Sequence, residues 1–158
     1  MSTIVRPAKS NEIDAIVSLW KEFVADPSAI DEPIPTHTEN TKKQTEFLGE
    51  LIDHDPRQVL VAEEGGQLVG YLACKREVKP LLETQRKQSY IANLYVKTSH
   101  RKKGIGKELL QVCLKDLNDL GPREVELYVW VRNEDAMRLY KAMGFKEHMV
   151  GMKLTTAG

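Results

Sequence analysis

Two stretches of this sequence concentrate residues able to do chemistry. The first is Val96-Lys97-Thr98-Ser99-His100-Arg101-Lys102-Lys103-Gly104-Ile105-Gly106-Lys107-Glu108-Leu109. An apolar strand runs into a turn with two close glycines, and an amphipathic helix follows at once. The unpaired N–H groups of a first helical turn can bond phosphate oxygens, helped by the local dipole. Gly104 and Gly106 let a ligand approach the backbone. Arg101, Lys102, Lys103 and Lys107 add positive charge where an anion would sit. The second stretch runs from Asn133 to Phe145. Asn133 has the type and position of an N-cap, and Ala136, Met137 and Tyr140 share the helix face above it. Small Ala136 leaves room for a ligand chain. The phenol of Tyr140, with an ordinary pKa near 10, is a proton donor.

Other chemistries lack their residues. A nucleotide P-loop needs Ser or Thr after its lysine, but Glu108 follows Lys107. A dinucleotide fingerprint needs glycine where Leu109 stands. The four histidines, His37, His54, His100 and His148, show no metal-ligand spacing. No Ser–His–Asp or Cys–His arrangement stands out. No metal is expected.

Both stretches need a scaffold, and the periodicity supplies one. Ile4 to Arg6 reads as a first strand. Ser10 is the expected N-cap of a helix carrying Ile13, Ile16, Val17, Trp20 and Phe23/Val24 to about Asp26. Residues 27–40 hold Pro27, Pro33 and Pro35 and read as a loop, followed by a helix from Thr41 to Ile52. Val59 to Ala62 and Leu68 to Glu77 form a hairpin about Glu64-Gly65-Gly66-Gln67. Pro80 to Lys87 is a polar interruption with room for a helical turn. Ser89 to Lys97 is a strand, and a helix is expected from about Gly104 to Asn118. Glu124 to Val131 alternates as a strand, Glu134 to Met143 is a helix ended by Gly144, and Phe145 to Leu154 is expected as the last strand. Residues 155–158 read as a frayed tail. The order predicts a single α/β domain over 1–158, a mixed, mostly antiparallel sheet flanked by helices. Its central strand–helix–strand portion is expected to be a right-handed crossover.

Composition agrees with one soluble domain. The chain has 158 residues, 41% hydrophobic and 29% charged, with 23 basic and 23 acidic residues. Zero net charge argues against a polyanion-coating protein, and the basic turn lacks the aromatic stacking strand of a nucleic-acid binder. No nucleic-acid or membrane partner is expected, because no apolar run approaches the roughly 18 residues of a membrane span. Met1 to Pro7 lacks the charged-then-apolar pattern of a secretory leader. Cys74 and Cys113 read as buried thiols rather than a disulfide framework, and the cytoplasm is the expected location.

Arg101-Lys102-Lys103-Gly104-Ile105-Gly106 after an apolar strand resembles the acetyl-CoA pyrophosphate loop of the GCN5-related N-acetyltransferase (GNAT) superfamily. Asn133, Ala136, Tyr140 and Gly144-Phe145 resemble that family's later Asn–Ala–Tyr–Gly–Phe block. The likeness is strongest over residues 89–150, and Ile4 to Asp14 also resembles the family's opening strand and helix. It implies an acetyl-CoA-dependent N-acetyltransferase with a GNAT-like fold. Leu94, Tyr95 and Val96 would line the pantetheine arm through backbone groups. The backbone from Lys102 through Lys103, Gly104, Ile105 and Gly106 to Lys107 would cradle the pyrophosphate. Arg101 would order the loop or meet a phosphate, Asn133 would bond the pantetheine or cap the helix, and Ala136 would pack beside the thiol. The implied reaction is direct attack by a neutral amine on the thioester. A backbone N–H in the region of Leu94 to Val96 would stabilise the oxyanion, and Tyr140 would protonate the departing thiolate.

The resemblance does not supply a base. Some polyamine-acetylating relatives place a carboxylate where Ala92 or Asn93 stands here, and neither residue can serve. Glu77, Glu32, His37 and Asp31 are titratable residues on acceptor-side segments. The acidic loop residues Asp26, Asp31, Glu32 and Glu39 offer a way to receive a cationic amine, such as a polyamine, an antibiotic, an amino acid or a peptide amino terminus. Leu127, Tyr128, Val129, Trp130 and the last strand offer a homodimer edge. The alternative reading is a non-catalytic acyl-CoA-binding or sensing domain of the same fold, against which Tyr140 argues.

Overall fold

The computed structural model describes residues 2–79 and 86–157. Five strands form one sheet in the order β1-β2-β3-β4-β5. They are β1 (Ile4–Pro7), β2 (Val59–Glu64), β3 (Gln67–Val78), β4 (Lys87–Val96) and β5 (Arg123–Leu127). The helices are α1 (Ile13–Val24), α2 (Thr38–His54), α3 (Ile105–Asp119) and α4 (Glu134–Ala142). Neighbours pair antiparallel except β4 and β5, which run parallel on either side of α3. This is the mixed α/β sheet that the sequence predicts.

The sheet is buried on both faces because alternate residues serve different helix layers. Val59, Val61, Tyr71 and Ala73 pack with Ile16, Trp20, Leu48 and Leu51 of α1 and α2. Leu60, Ala62, Leu72 and Cys74 pack with Leu109, Leu110 and Cys113 of α3. The two-residue period of a strand dictates that division. Both cysteines are buried, as expected. Gly65 and Gly66 take φ of +59° and +81° in the β2–β3 turn, the conformation a tight hairpin demands.

Several expectations are corrected. Residues 145–157 form no strand. Alternation makes a strand only against a ladder partner. This segment is instead tethered through Lys141–Glu147 at 3.1 Å, His148–Glu126 at 3.5 Å and Lys153–Glu32 at 2.6 Å. Met149, Val150, Met152 and Leu154 are consequently exposed. The expected strand to Val131 stops at Leu127, the residue paired with Ile91. Ser10 is no cap: it lies within a short 3-10 turn, where the Glu12 carboxylate accepts from the Lys9 N–H at 2.8 Å. That carboxylate also binds Arg6 at 2.7 Å, which gives it a reason to fold back. The expected turn at Pro80 to Lys87 lies largely outside the described residues.

The site is created where β4 outruns β5. Pairing ends at Ile91↔Leu127, yet β4 continues to Val96. The register with β3 also slips there, from Ala73↔Asn93 to Cys74↔Ile91, leaving Ala92 as a bulge. Such a bulge bends the strand and strengthens its twist. Gly70 permits the close approach on the other side, since a Cβ there would meet the Tyr95 carbonyl oxygen at 2.8 Å.

Candidate active site

A groove of about 600 Å³ opens between the end of β4, the start of α3 and α4. Leu94, Tyr95 and Val96 form its strand wall, and Arg101, Lys102, Gly104, Ile105, Gly106 and Lys107 form its loop end. Asn133, Ala136 and Tyr140 face them from α4 and its cap. The structure thus brings together every residue nominated for cofactor binding or catalysis except Lys103, which is exposed and outside the lining. The loop turns sharply there, with the preceding Lys102 at φ +62° and the following Gly104 at φ +80°. Sequence adjacency gave no sign of that reversal.

The loop end is built for an anion. No side chain caps α3, whose N-cap is Gly104. Its first-turn N–H groups are therefore available to a ligand. Left-handed Lys102 and Gly104 curl the preceding backbone into a concave turn, and the two lysines border it. These features fit the diphosphate of a coenzyme A ester. Arg101 does something else. It donates to the Val96 carbonyl at 3.0 Å and to Asp26 at 2.7 Å, and its guanidinium lies 5.4 Å from the centre of the Tyr95 ring. Burial pushes the Asp26 carboxyl upward, but the Ser28 hydroxyl and Arg101 outweigh it and hold the pKa below the usual range. His100, beside this loop, bonds Glu64 through Nε2.

Asn133 caps α4, its oxygen accepting from the Ala136 N–H at 3.3 Å, and its amide donates to the Ala29 carbonyl at 3.4 Å. Tyr140 sits one helical turn beyond Ala136. Burial pushes its phenol up to about 12, so the hydroxyl keeps its proton throughout the neutral range. Its ring rests edge-on against Phe145 with centroids 5.8 Å apart.

A second cavity, of about 210 Å³, is also bordered by Tyr140. Phe23, Ala29, Leu94, Asn133 and Tyr140 border both spaces. Sequence reasoning missed Phe23, Ala29, Arg132 and Arg138 as lining residues. The only trace of Phe23 in the sequence is its place in the apolar stripe of α1; in the fold it meets Tyr95 edge-on at 5.7 Å. Asn93 faces the second cavity, its oxygen accepting from Gln44 at 3.0 Å and its amide donating to the Ala92 carbonyl at 2.8 Å.

The nominated bases are elsewhere. Glu77 pairs with Arg123 at 3.4 Å, Glu32 with Lys153, and Asp31 with Arg132 at 3.7 Å, while the His37 ring caps α2. None of them lines either cavity.

The sequence profile of the acetyltransferase (GNAT) family matches residues 18–145. The chain belongs to that family. Among GNAT relatives, N-acetyltransferase family 8 member 3 of Rattus norvegicus is 38% identical over 87 residues, covering 55% of this chain and 37% of the rat protein. An N-alpha-acetyltransferase of Sulfurisphaera tokodaii is 30% identical over 149 residues, covering 90% of this chain and 80% of its own length. Among solved GNAT-like folds, a predicted acetyltransferase with acetyl-CoA from Clostridium acetobutylicum superposes with a TM-score of 0.73 at 19% identity, covering 98% of this chain and 96% of that one.

Proposed function

We propose that this chain transfers the acetyl group of acetyl-CoA to a primary amine by direct attack in a ternary complex. The observation that carries the reading is Tyr140, a protonated phenol bordering both the anion-ended groove and the smaller cavity. Family membership supports the activity, and the relatives' names support an amine as acceptor. Acetyl-CoA, when bound, supplies an activated thioester.

The chain's own residues divide the remaining tasks. The uncapped start of α3, with Lys102 and Lys107, holds the diphosphate. Arg101 orders the loop through its bonds to the Val96 carbonyl and Asp26. Leu94, Tyr95 and Val96 offer backbone groups where β4 has lost its β5 partner, and one of their N–H groups stabilises developing negative charge on the carbonyl oxygen. The amine nitrogen forms the new C–N bond as the C–S bond breaks. Tyr140 gives its proton to the departing sulfur, solvent receives the proton that the amine loses, and a proton from solvent restores the phenol.

No metal takes part in this reading. The cytoplasm is the proposed location; among the described residues, no helix is long and apolar enough to cross a membrane. A homodimer is also proposed, supported by β5 at the sheet edge and by exposed Val131, Val150 and Met152 nearby in sequence to it or in the final segment. Thiol release from acetyl-CoA in the presence of varied amines tests the activity. Absence of acetyl-CoA binding would overturn it.

A further inference from the structure

One cation on the groove has no part in the transfer described above. Arg138 of α4 borders the groove with its side chain 74% exposed. It pairs with Asp135 of the same helix at 3.2 Å, and that carboxylate is 72% exposed. An ion pair so open to water contributes little and gives way to a stronger partner. The other cations of the groove are committed or placed differently. Arg101 is held by Asp26 and the Val96 carbonyl, and His100 by Glu64 and Ser99. Lys102 and Lys107 flank the uncapped start of α3. Arg132 stands beside the Asn133 cap, 3.7 Å from Asp31.

Gly106 fixes where Arg138 lies relative to the loop. A Cβ at Gly106 would meet Leu139 of α4 at 3.6 Å and Val96 of β4 at 3.8 Å, so α3, α4 and β4 converge there. Lys107 follows Gly106 and Arg138 precedes Leu139; both are exposed and both border the groove. Helix geometry orders the rest of the α4 face. At about 100° per residue, side chains succeed one another round the helix as Arg138, Asp135, Leu139, Ala136 and Tyr140. All five border the groove. Arg138 and Tyr140 are therefore about 160° apart, at opposite edges of one face. A ligand that brings a thioester to the Tyr140 edge has the Arg138 edge left for its far end.

We infer that Arg138 binds the 3′-phosphate on the ribose of the coenzyme, so that the chain discriminates between coenzyme A esters and the same compounds without that phosphate. The assignment rests on the transferase reading above. Acetyl-CoA carries two anionic groups, the diphosphate and the ribose 3′-phosphate. A phosphate monoester bears a charge of about −1.5 to −2 at neutral pH. The diphosphate takes the backbone N–H groups of α3 and the two lysines beside them. The monoester is set apart from it by the ribose and needs a donor of its own. A guanidinium meets a phosphate with two parallel N–H···O bonds, which a lysine cannot do. Glu134 and Asp135 also border the groove and would repel a second anion. Both stand in the first turn of α4, where the helix dipole favours them, and Arg138 offsets the charge of Asp135. Arg138 thus supplies the positive charge that makes this edge of the groove accessible to the monoester.

The test is calorimetric binding of coenzyme A and of 3′-dephospho-coenzyme A to the wild type, Arg138→Ala and Lys107→Ala, at low and high salt. The wild type is expected to bind coenzyme A at least about tenfold more tightly than the dephospho compound, because a charge-assisted, two-bond contact goes with the phosphate. Arg138→Ala should weaken coenzyme A by about tenfold and leave the dephospho compound within about twofold, so that the two ligands bind alike. Arg138 is an exposed residue of α4, so the variant keeps its core. Lys107→Ala should weaken both ligands and keep their ratio, as loss of a diphosphate contact does. Raising the salt should shrink the wild-type ratio and leave that of Arg138→Ala near one. Equal affinity of the wild type for the two ligands overturns the inference. So does a preference that survives in Arg138→Ala, or a loss there that falls equally on both ligands. A wild type that binds neither ligand overturns the transferase reading itself.

Discussion

The Arg101 guanidinium donates to the Asp26 carboxylate at 2.7 Å across 75 positions of sequence. Through that bond the end of α1 holds the loop that precedes α3. The most conspicuous cation of the motif is thus satisfied from within the chain, leaving backbone N–H groups and the lysines to meet a phosphate.

Arg101→Ala should raise the dissociation constant for acetyl-CoA by about tenfold, through loss of loop order worth about 1–2 kcal/mol for a part-exposed charged hydrogen bond. The salt dependence of binding should stay that of the wild type, because Asp26 already neutralises the guanidinium. Lys107→Ala, in contrast, should flatten that dependence. Calorimetric titration at several salt concentrations separates the two roles.

The same ion pair predicts a pH effect on stability. Asp26 has a folded pKa below its ordinary value, so it contributes stability that is present above the unfolded pKa of about 3.9 and lost as pH falls through the folded one. Asp26→Asn should be less stable than the wild type at neutral pH by about 1 kcal/mol. The difference should vanish in strong acid, where both proteins lack the charge. Urea unfolding between neutral pH and about pH 2.5 measures it.

Two glycines should fail for different reasons. Gly70→Ala places a Cβ 2.8 Å from the Tyr95 carbonyl oxygen. Backbone cannot easily give way, so a loss of about 2–3 kcal/mol is expected, seen as a melting temperature lower by about 4–10 °C. At Gly104, φ is +80° and a Cβ would meet nothing within 4 Å. Gly104→Ala should therefore cost only about 1 kcal/mol of stability, while acetyl-CoA affinity falls as the uncapped helix start is displaced.

The alkaline side of the pH–rate profile gives a further check. In the proposed mechanism Tyr140 acts in its protonated form, and burial pushes its pKa up to about 12. The donor is lost only as pH rises through that value. Turnover should therefore show no decline assignable to Tyr140 between neutrality and about pH 10, and should rise as the amine deprotonates. Steady-state rates across that range, checked against a stability control, measure it.

The loop end of the groove was legible because its residues are contiguous: strand, two glycines, cations and helix lie within residues 96–109. Asn133, Ala136 and Tyr140 were legible because one short helix displays them together. The smaller cavity was not, since Trp20 and Phe23 of α1, Ile91 of β4 and Trp130 beyond β5 come from three separate segments and none stands out alone. The ion pairs of the acidic loop were not legible either, its partners Arg101, Arg132 and Lys153 being far along the chain. The final strand misled because the alternation from Phe145 to Leu154 says nothing about whether an edge is there to pair with. The bulge at Ala92 left no sequence mark, although it helps to open the site.

The most direct test of the account compares wild type with Tyr140→Phe in the thiol-release assay, with acetyl-CoA binding measured on both. The account predicts a turnover number lower by roughly 10- to 1,000-fold, with acetyl-CoA affinity within about twofold and the fold intact. Unchanged turnover in the variant would contradict Tyr140 as the proton donor, and a wild-type protein that binds no acetyl-CoA would contradict the transferase reading altogether.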